Sequence, residues 1–191
     1  MNDSHRNPWK VNTQDIKYAN PWISVTESQV ITPAGTPGIY GVVHFKNKAI
    51  GILPIDDQHH TWLVGQWRFP LDIWSWEIPE GGGPLDTDPL VSAQRELREE
   101  TGLIAGEWKM LLRTHLSNSV TDEEGFIFLA RGLTQAEHQR EDTEADMRTM
   151  RVPFRQAFDM VLDGRITDSL SVMAILKAAH LHPEFLDAPL G

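Results

Sequence analysis

Residues 81–103, GGGPLDTDPLVSAQRELREETGL, are the most informative part of this 191-residue chain. The segment opens with three glycines, which let a backbone approach a ligand closely and leave its polar groups accessible. A helix is predicted to follow, because Thr87 or Asp88 can cap it and Pro89 suits its first turn. Gly102 suits its end. The sequence therefore predicts a glycine-rich loop followed by a helix of about four turns.

Three glutamates share one side of this predicted helix. Glu96, Glu99 and Glu100 are spaced i, i+3 and i+4, which places them within an arc of about 100°. All three lie in the last two turns, where the helix dipole favours cations by about 0.3–1 kcal/mol each. Arg95 can compensate Glu99, so the other two carboxylates point to a cation from outside the helix. A solvated acidic face is the alternative interpretation, but oxygen ligands also suit Mg²⁺ or Mn²⁺.

The composition is typical of a globular protein of about one domain, with 40% hydrophobic and 23% charged residues. The absence of cysteine excludes a disulfide framework, a thiolate nucleophile and cysteine-ligated zinc. A net charge of −10 disfavours a nucleic-acid partner. The longest nearly apolar stretch, residues 49–55, is far shorter than the ~18 residues of a membrane span, and the first ten residues lack the apolar core of a signal peptide. We therefore expect a cytoplasmic protein with no membrane partner.

Strand patterns surround the helix, and further helices close the chain. Strands are predicted at residues 22–32, 39–45, 49–56, 61–69, 108–116, 126–130 and 147–152, and helices at residues 154–162 and 169–179. A Trp-rich segment at residues 74–79 leads into the glycines. Residues 1–20 are polar and show no clear pattern. This order indicates an α+β fold, in which helices cover the faces of a mixed sheet. We predict a small N-terminal β lobe in residues 1–45 and a main domain in residues 46–191.

The central segment resembles the Nudix box, G-x5-E-x7-R-E-U-x-E-E-x-G-U, in which U is an apolar residue. Gly81, position 87 and RELREETGL at residues 95–103 match its spacing. The resemblance extends to GQWRFP at 65–70, WSWEIPEGG at 74–82 and DGRITDSLSVMAIL at 163–176, which are similar to the ADP-ribose and nucleoside diphosphate sugar pyrophosphatases of the Nudix hydrolase family. It implies the α/β/α sandwich of the Nudix type for the main domain.

Two positions depart from the family pattern. Thr87 replaces the first glutamate of the box, which puts the rigidity of the loop in doubt more than catalysis. Enzymes selective for ADP-ribose commonly have a proline about sixteen residues past the box, where this chain has residues 118–120, Asn-Ser-Val. Hydrolysis of diphosphate sugars in general is therefore expected, rather than strict selectivity for ADP-ribose.

The resemblance implies roles for the residues of the box. Glu96 and Glu100 would be the principal metal ligands, and the backbone carbonyl of Glu80 would complete the shell. Glu99 would be an additional or alternating ligand that also counts among the catalytic residues. Arg95 would orient the glutamates, again as part of the catalytic machinery.

In this subfamily the base that activates water comes from an acidic loop outside the box. Residues 139–146, QREDTEAD, are the candidate segment here. Glu144 is the preferred base and Glu141 the second choice. A hydrated loop with no catalytic role is the alternative for either residue.

The resemblance also implies three substrate-binding residues. Arg68 corresponds to a substrate-side arginine, whose planar fork suits a diphosphate. Glu77 belongs to the same group. Trp22 occupies the place where the family puts an aromatic ring over the nucleobase, often at a dimer interface, and a homodimer formed through the N-terminal lobe is therefore expected.

The function that follows is Mg²⁺-dependent hydrolysis of the diphosphate of nucleoside diphosphate sugars, including ADP-ribose, with Mn²⁺ able to substitute. Two alternatives stay open. A nucleotide sensor could use the same fold without turnover, although the intact glutamate set argues against it. Hydrolysis of nucleoside triphosphates or capped RNA is the other alternative, and the net charge of −10 disfavours RNA.

Overall fold

The computed structural model describes residues 6–136 and 146–187. Contacts between residues divide the chain into two compact units, one formed by residues 1–47 with 115–123 and the other by residues 48–114 with 124–191. Segment 115–123, which sequence analysis leaves in the larger domain, thus groups with the N-terminal residues. Among the described helices, none combines the length and the apolar character needed to cross a bilayer.

The N-terminal unit is a three-stranded antiparallel sheet in the order β1-β2-β3. Its strands are β1 (Lys10–Ala19), β2 (Ile23–Ile31) and β3 (Pro37–Phe45). Segment 115–123 lies along β3, where the N–H of Val43 donates to the carbonyl of Val120 at 2.9 Å. Strand β1 has no counterpart in the sequence prediction, because all ten of its residues are exposed and no buried face marks it.

The larger unit contains two sheets. The strands β4 (Asn47–Pro54), β7 (Glu80–Pro84), β8 (Leu103–His115) and β9 (Glu124–Gln135) form one, in the order β7-β4-β9-β8. The strands β5 (His60–Arg68), β6 (Ile73–Glu77) and β10 (Arg148–Pro153) form the other, in the order β10-β5-β6. Strands β4 and β9 run parallel and the pairs in the second sheet run antiparallel. Parallel and antiparallel pairs are therefore both present in the larger unit, divided between two sheets.

Helices cover both faces of the four-stranded sheet. The helices of this unit are α1 (Pro89–Thr101), α2 (Phe154–Leu162) and α3 (Ser169–Leu181), followed by a 3₁₀ helix at Pro183–Asp187, and α1 and α3 are the two that cover this sheet. On one face, Ile50 and Ile52 of β4 share a buried cluster with Leu97 of α1. On the opposite face, a Cβ at Gly51 would contact Leu170 of α3 at 3.5 Å. Because side chains alternate along a strand, α1 and α3 lie on opposite sides of β4.

The apolar side of α1 is the one that its periodicity predicts. Ala93 and Leu97 are completely buried, and Leu90 packs at the edge of the same cluster. Burial of this stripe against β4 and β9 fixes the rotation of the helix about its axis. The adjacent stripe, which bears the glutamates, consequently faces strand β7 at the edge of the sheet.

Candidate active site

Helix α1 begins and ends where the sequence predicts. The side chain of Asp88 caps its start by accepting a hydrogen bond from the N–H of Leu90, and Pro89 occupies the first turn. At its end Gly102 adopts the left-handed conformation, with φ of 68°, and its N–H donates to the carbonyl of Arg98. Both ends are thus set by local chemistry, which fixes the positions of the glutamates along the helix.

Two of the three glutamates are buried. Glu96 is 4% exposed and Glu100 is 1% exposed, whereas Glu99 is partly exposed. Removing a carboxylate from water costs several kcal/mol unless a cation or hydrogen-bond donors compensate its charge. Two buried carboxylates one turn apart therefore mark the place on α1 where compensating groups must converge.

Strand β7 supplies backbone groups to these carboxylates. A Cβ at position 81 would lie 2.2 Å from Oε1 of Glu96, so any other residue there would displace this carboxylate. The N–H of Glu80 donates to Oε2 of Glu100 at 2.9 Å. The glycine-rich segment, predicted as a loop, is therefore a strand, because its glycines allow it to pair with β4 while pressing against α1.

Arg95 ties α1 to β7. Its guanidinium donates to Oε1 of Glu96 at 2.5 Å, to Oε2 of Glu99 at 2.5 Å and to the carbonyl of Gly82 at 2.8 Å. Burial by itself lowers the pKa of Arg95, but the charges of Glu96 and Glu99 and the hydrogen bonds to them outweigh it and raise the pKa. These are the contacts that the orienting role implied by the sequence requires.

The departure at Thr87 is accommodated by backbone contacts. The carbonyl of Thr87 accepts a hydrogen bond from Nζ of Lys48 at 2.7 Å, and its N–H donates to the carbonyl of Pro84 at 3.1 Å. These two bonds join the segment before α1 to strand β4 and to the end of β7. The segment is therefore anchored without a carboxylate at position 87.

The donor set fits a divalent cation. The carboxylates of Glu96, Glu99 and Glu100, with the carbonyl of Glu80, are hard oxygen ligands of the type that Mg²⁺ and Mn²⁺ prefer. The close approach of β7 at Gly81 provides a cradle that any side chain would fill. These four residues are the ones that would hold the metal.

A second ion-pair network is built on the side chain of Glu80. Nε of Arg68 donates to both carboxylate oxygens of Glu77, at 2.9 and 3.0 Å, and Nη2 of Arg68 also bonds Glu77. The same Nη2 donates to Oε1 of Glu80 at 2.5 Å. The structure thus brings Arg68 and Glu77 together, although sequence analysis assigns both to the substrate. Among the described residues, Nη1 of Arg68 has no hydrogen-bond partner.

Charges shift the pKa values within this network. Burial, together with the nearby charges of Asp168 and Glu77, raises the pKa of Glu80 well above the usual carboxyl range, and Arg68 only partly opposes this. Burial alone would lower the pKa of Arg68, but its bond to Glu77 and the charges of Glu80 and Glu77 raise it. Arg68 therefore stays charged, while deprotonation of Glu80 is less favourable than that of an ordinary carboxyl.

Asp168 is a member of this network that sequence reasoning missed. Its carboxylate, with those of Glu77 and Glu80, forms a group whose oxygens lie within 4.8 Å of one another. Asp168 also caps α3 by accepting a hydrogen bond from the N–H of Ser171 at 2.7 Å, and Oγ of Ser171 accepts from the N–H of Ile78 at 2.9 Å. An aspartate before a helical pattern signals a cap, but the sequence does not show that this cap meets β6.

Three candidates remain: Trp22, Glu144 and Glu141. Trp22 belongs to the N-terminal unit and is 66% exposed, and its N–H donates to Oδ1 of Asn20 at 2.8 Å. Glu144 and Glu141 fall outside the described residues. The structure therefore brings together Arg95, Glu96, Glu99, Glu100 and Glu80 at one site, with Arg68 and Glu77 joined to it through Glu80.

The strand, the helix and the arginine of this site all lie within a segment that matches a known family. Residues 45–169 match the family model of the NUDIX domain, and residues 9–43 match the nucleoside diphosphate sugar hydrolase N-terminal domain. The chain belongs to the Nudix family and is a pyrophosphatase of that family. The membership predicted from the box is confirmed.

Relatives of known activity are similar over most of the chain. An ADP-ribose pyrophosphatase from Mycobacterium tuberculosis is 33% identical over 80% of this chain and 74% of its own length. An ADP-ribose pyrophosphatase from Bacillus subtilis is 31% identical over 66% of this chain and 69% of its own. A GDP-mannose pyrophosphatase from Escherichia coli K12 is 31% identical over 63% of each.

The fold also matches a solved structure. A crystal structure of an ADP compounds hydrolase superposes with a TM-score of 0.82 at 18% identity, covering 92% of this chain and 95% of the other. The predicted α+β fold, a sandwich of the Nudix type, is confirmed.

Glu80→Gln should stabilise the metal-free protein increasingly as the pH rises from 5 to 8. The raised pKa of Glu80 means that its contribution to stability is complete below the ordinary carboxyl pKa and is lost as the pH rises through the raised value. Glutamine has no such dependence. Urea unfolding in EDTA, compared between variant and wild type at each pH, checks this expectation. A difference that stays constant with pH contradicts it, and Glu107→Gln, at an exposed position, is the control.

Proposed function

We propose that this protein hydrolyses the diphosphate bond of nucleoside diphosphate sugars, ADP-ribose among them, to a nucleoside monophosphate and a sugar phosphate. Mg²⁺ is the proposed cofactor, and Mn²⁺ can replace it. The observation that carries the proposal is the pair of buried carboxylates, Glu96 and Glu100, held between Arg95 and the backbone of β7. The activities of the relatives named above support the choice of substrate class.

The glutamate set is prearranged for a cation. Bound there, Mg²⁺ neutralises a diphosphate and makes its phosphorus more electrophilic. Arg95 fixes the side chains of Glu96 and Glu99, and the N–H of Glu80 fixes that of Glu100. Ligands held in place in this way need little rearrangement during the reaction, which favours the transition state.

Arg68 is proposed to contact the diphosphate through Nη1. Glu77 and Glu80 occupy its Nε and Nη2 groups, which fixes the plane of the guanidinium. Among the described residues nothing bonds Nη1. A charge-assisted hydrogen bond from this group to a phosphoryl oxygen is therefore available without breaking the ion pairs.

Glu144 is proposed as the base that takes a proton from the attacking water, with Glu141 as the second choice. Support comes from described residues on both sides of their segment. The N–H of Ala136 donates to the carbonyl of Gly102 at 2.6 Å, and the hydroxyl of Thr149 donates to the carbonyl of Glu100 at 3.3 Å. Both flanks of the acidic segment are thus anchored to the end of α1, next to the metal-binding glutamates.

Trp22 is proposed to stack on the nucleobase, within a cytoplasmic homodimer formed through the N-terminal sheet. The ring is exposed, and the N–H groups of Trp22 and Ile23 both donate to Oδ1 of Asn20 at 2.8 Å, which holds the turn. Exposed apolar side chains on the same sheet, such as Ile16 and Ile39, support an interface there.

A substrate panel tests the proposed function. ADP-ribose, ADP-glucose, GDP-mannose, UDP-glucose and dATP are each incubated with the protein in Mg²⁺ and in EDTA. Release of products that phosphatase can attack is expected from the diphosphate sugars in Mg²⁺ only. Turnover of none of them favours the sensor, and preference for dATP favours a triphosphate hydrolase.

Glu100→Gln should lower kcat on the best substrate about 10³-fold, since loss of one charge of the metal shell costs several kcal/mol of transition-state stabilisation. The amide oxygen can still accept the N–H of Glu80, so the fold should persist, which thermal unfolding checks. Glu107→Gln is the matched control at an exposed position. Activity within threefold of wild type at saturating Mg²⁺ would overturn the metal assignment.

Glu144→Gln should lower kcat by about 10²–10⁴-fold with little change in KM, because a general base acts in the chemical step. Glu141→Gln is the matched control from the same segment. A larger loss of kcat in Glu141→Gln would transfer the role to Glu141.

Trp22→Ala should raise KM for nucleoside diphosphate sugars broadly, since a stacked ring contributes about 1–3 kcal/mol with little preference among bases. Mixing Trp22→Ala chains with Glu100→Gln chains tests which subunit the ring serves. If it serves the partner, hybrid dimers contain one intact site and regain activity at low substrate. No recovery in verified hybrids would place the ring with its own subunit.

A further inference from the structure

A cavity of about 340 Å³ opens beside Arg68, between strand β6 and the start of α3. Its size is within the range of small-molecule sites. The turn after β5 forms an apolar edge, and the rest of the lining is polar: Arg68, Ser75, Glu77, Glu80, Thr167 and Asp168. Glu80 is proposed to bind the metal through its backbone carbonyl, so its side chain has no proposed role. Among the side chains that line this cavity, those of Arg68 and Glu77 are the ones assigned to substrate binding.

Ser75 presents an unused hydroxyl to this cavity. The residue is only 6% exposed, and it shares one face of β6 with Glu77 because side chains alternate along the strand. Its Oγ makes no hydrogen bond with any residue in the described part of the chain, and Ser75 is one of the residues that line the cavity. A hydroxyl can donate one hydrogen bond and accept two, so a ligand with hydroxyl groups of its own can satisfy it.

Asp168 offers an acceptor on the opposite wall. Its Oδ2 caps α3, and within residues 6–136 and 146–187 no hydrogen bond uses its Oδ1. The carboxylates of Asp168, Glu77 and Glu80 face a single guanidinium, that of Arg68. This surplus of carboxylates repels a phosphate group placed in the cavity, whereas carboxylates readily accept hydrogen bonds from neutral hydroxyls.

We propose that this cavity is a subsite for a pair of neighbouring hydroxyls on a sugar ring of the substrate, recognised by Ser75 and Asp168. The inference rests on the proposed function, because it assigns part of that substrate to a place. Dinucleotide sites show the same chemistry, in which a carboxylate binds ribose hydroxyls and an arginine is needed where a phosphate replaces them. Arg68 at the rim keeps Nη1 for the diphosphate, so the hydroxyls and the diphosphate are bound by different groups.

Both halves of a nucleoside diphosphate sugar carry such hydroxyls, on the ribose of the nucleoside and on the sugar. Product pairs that differ in one hydroxyl separate these sources: AMP against 2′-deoxy-AMP, and ribose 5-phosphate against 2-deoxyribose 5-phosphate. Affinities are measured by calorimetry with Mg²⁺ for wild type, Asp168→Asn and Ser75→Ala. Asparagine caps a helix as well as aspartate, so Asp168→Asn should keep α3 intact.

Wild type should bind the hydroxyl form of one pair about tenfold more tightly, as expected for a hydrogen bond to a charged group. That ratio should fall below threefold in Asp168→Asn and be reduced in Ser75→Ala, and the pair that responds identifies the source. Asp163→Asn, on the surface before α3, is the matched control and should keep the ratio. Equal affinities within both pairs for wild type, or a ratio that survives both substitutions, overturn the inference.

The substrate panel distinguishes this failure from failure of the proposed function. A wild-type chain that hydrolyses diphosphate sugars but shows no dependence on the hydroxyl overturns the subsite alone. A chain that hydrolyses none of them overturns the proposed function and the subsite with it.

Discussion

The burial of Glu96 and Glu100 near the carboxyl end of α1 is the constraint on which the rest of the site depends. The helix dipole is unfavourable to anions there, and burial adds several kcal/mol for each carboxylate that lacks compensation. Three features accommodate the two carboxylates: the absence of a side chain at Gly81, the backbone N–H of Glu80 and the guanidinium of Arg95. Each of these three contacts requires β7 to lie directly against α1. The glycine-containing strand therefore precedes the helix because the two buried carboxylates need compensation from it.

Glu80 connects the two networks of the site, one through its backbone and the other through its side chain. Its backbone N–H holds Glu100, and its side chain accepts a hydrogen bond from Arg68. A backbone donor in a paired strand moves only if the strand moves, so the position of Glu100 is coupled to that of β7. The hydroxyl of Ser171 holds the N–H of Ile78 two residues earlier and thereby connects the same segment to α3. Glu100, which would bind a cation, and Arg68, which would meet an anion, are thus both held by the same residue of β7.

Local signals made α1 predictable, and their absence explains what was missed. The cap at Asp88, the stop at Gly102 and the stripe that includes Leu97 are all readable within fifteen residues of the glutamates. Strand β1 forms through pairing with β2 and buries no face, so periodicity could not reveal it. The residues of β7 are typical of a loop because glycine has low strand propensity, yet a side chain at position 81 would displace the carboxylate of Glu96.

Long-range contacts lie beyond such signals. Ile78 and Ser171 are 93 residues apart, and only the tertiary fold brings Asp168 to Glu77. The spacing of the box therefore revealed the three glutamates of α1, but not the cavity beside Arg68. The same contacts explain how a chain with a net charge of −10 can meet an anionic diphosphate. Arg95 and Arg68 are each bound by two glutamates, which compensate their positive charges. The substrate therefore meets a cradle suited to a cation and the Nη1 group of Arg68. Selectivity then depends on where a ligand places its phosphates rather than on its total charge.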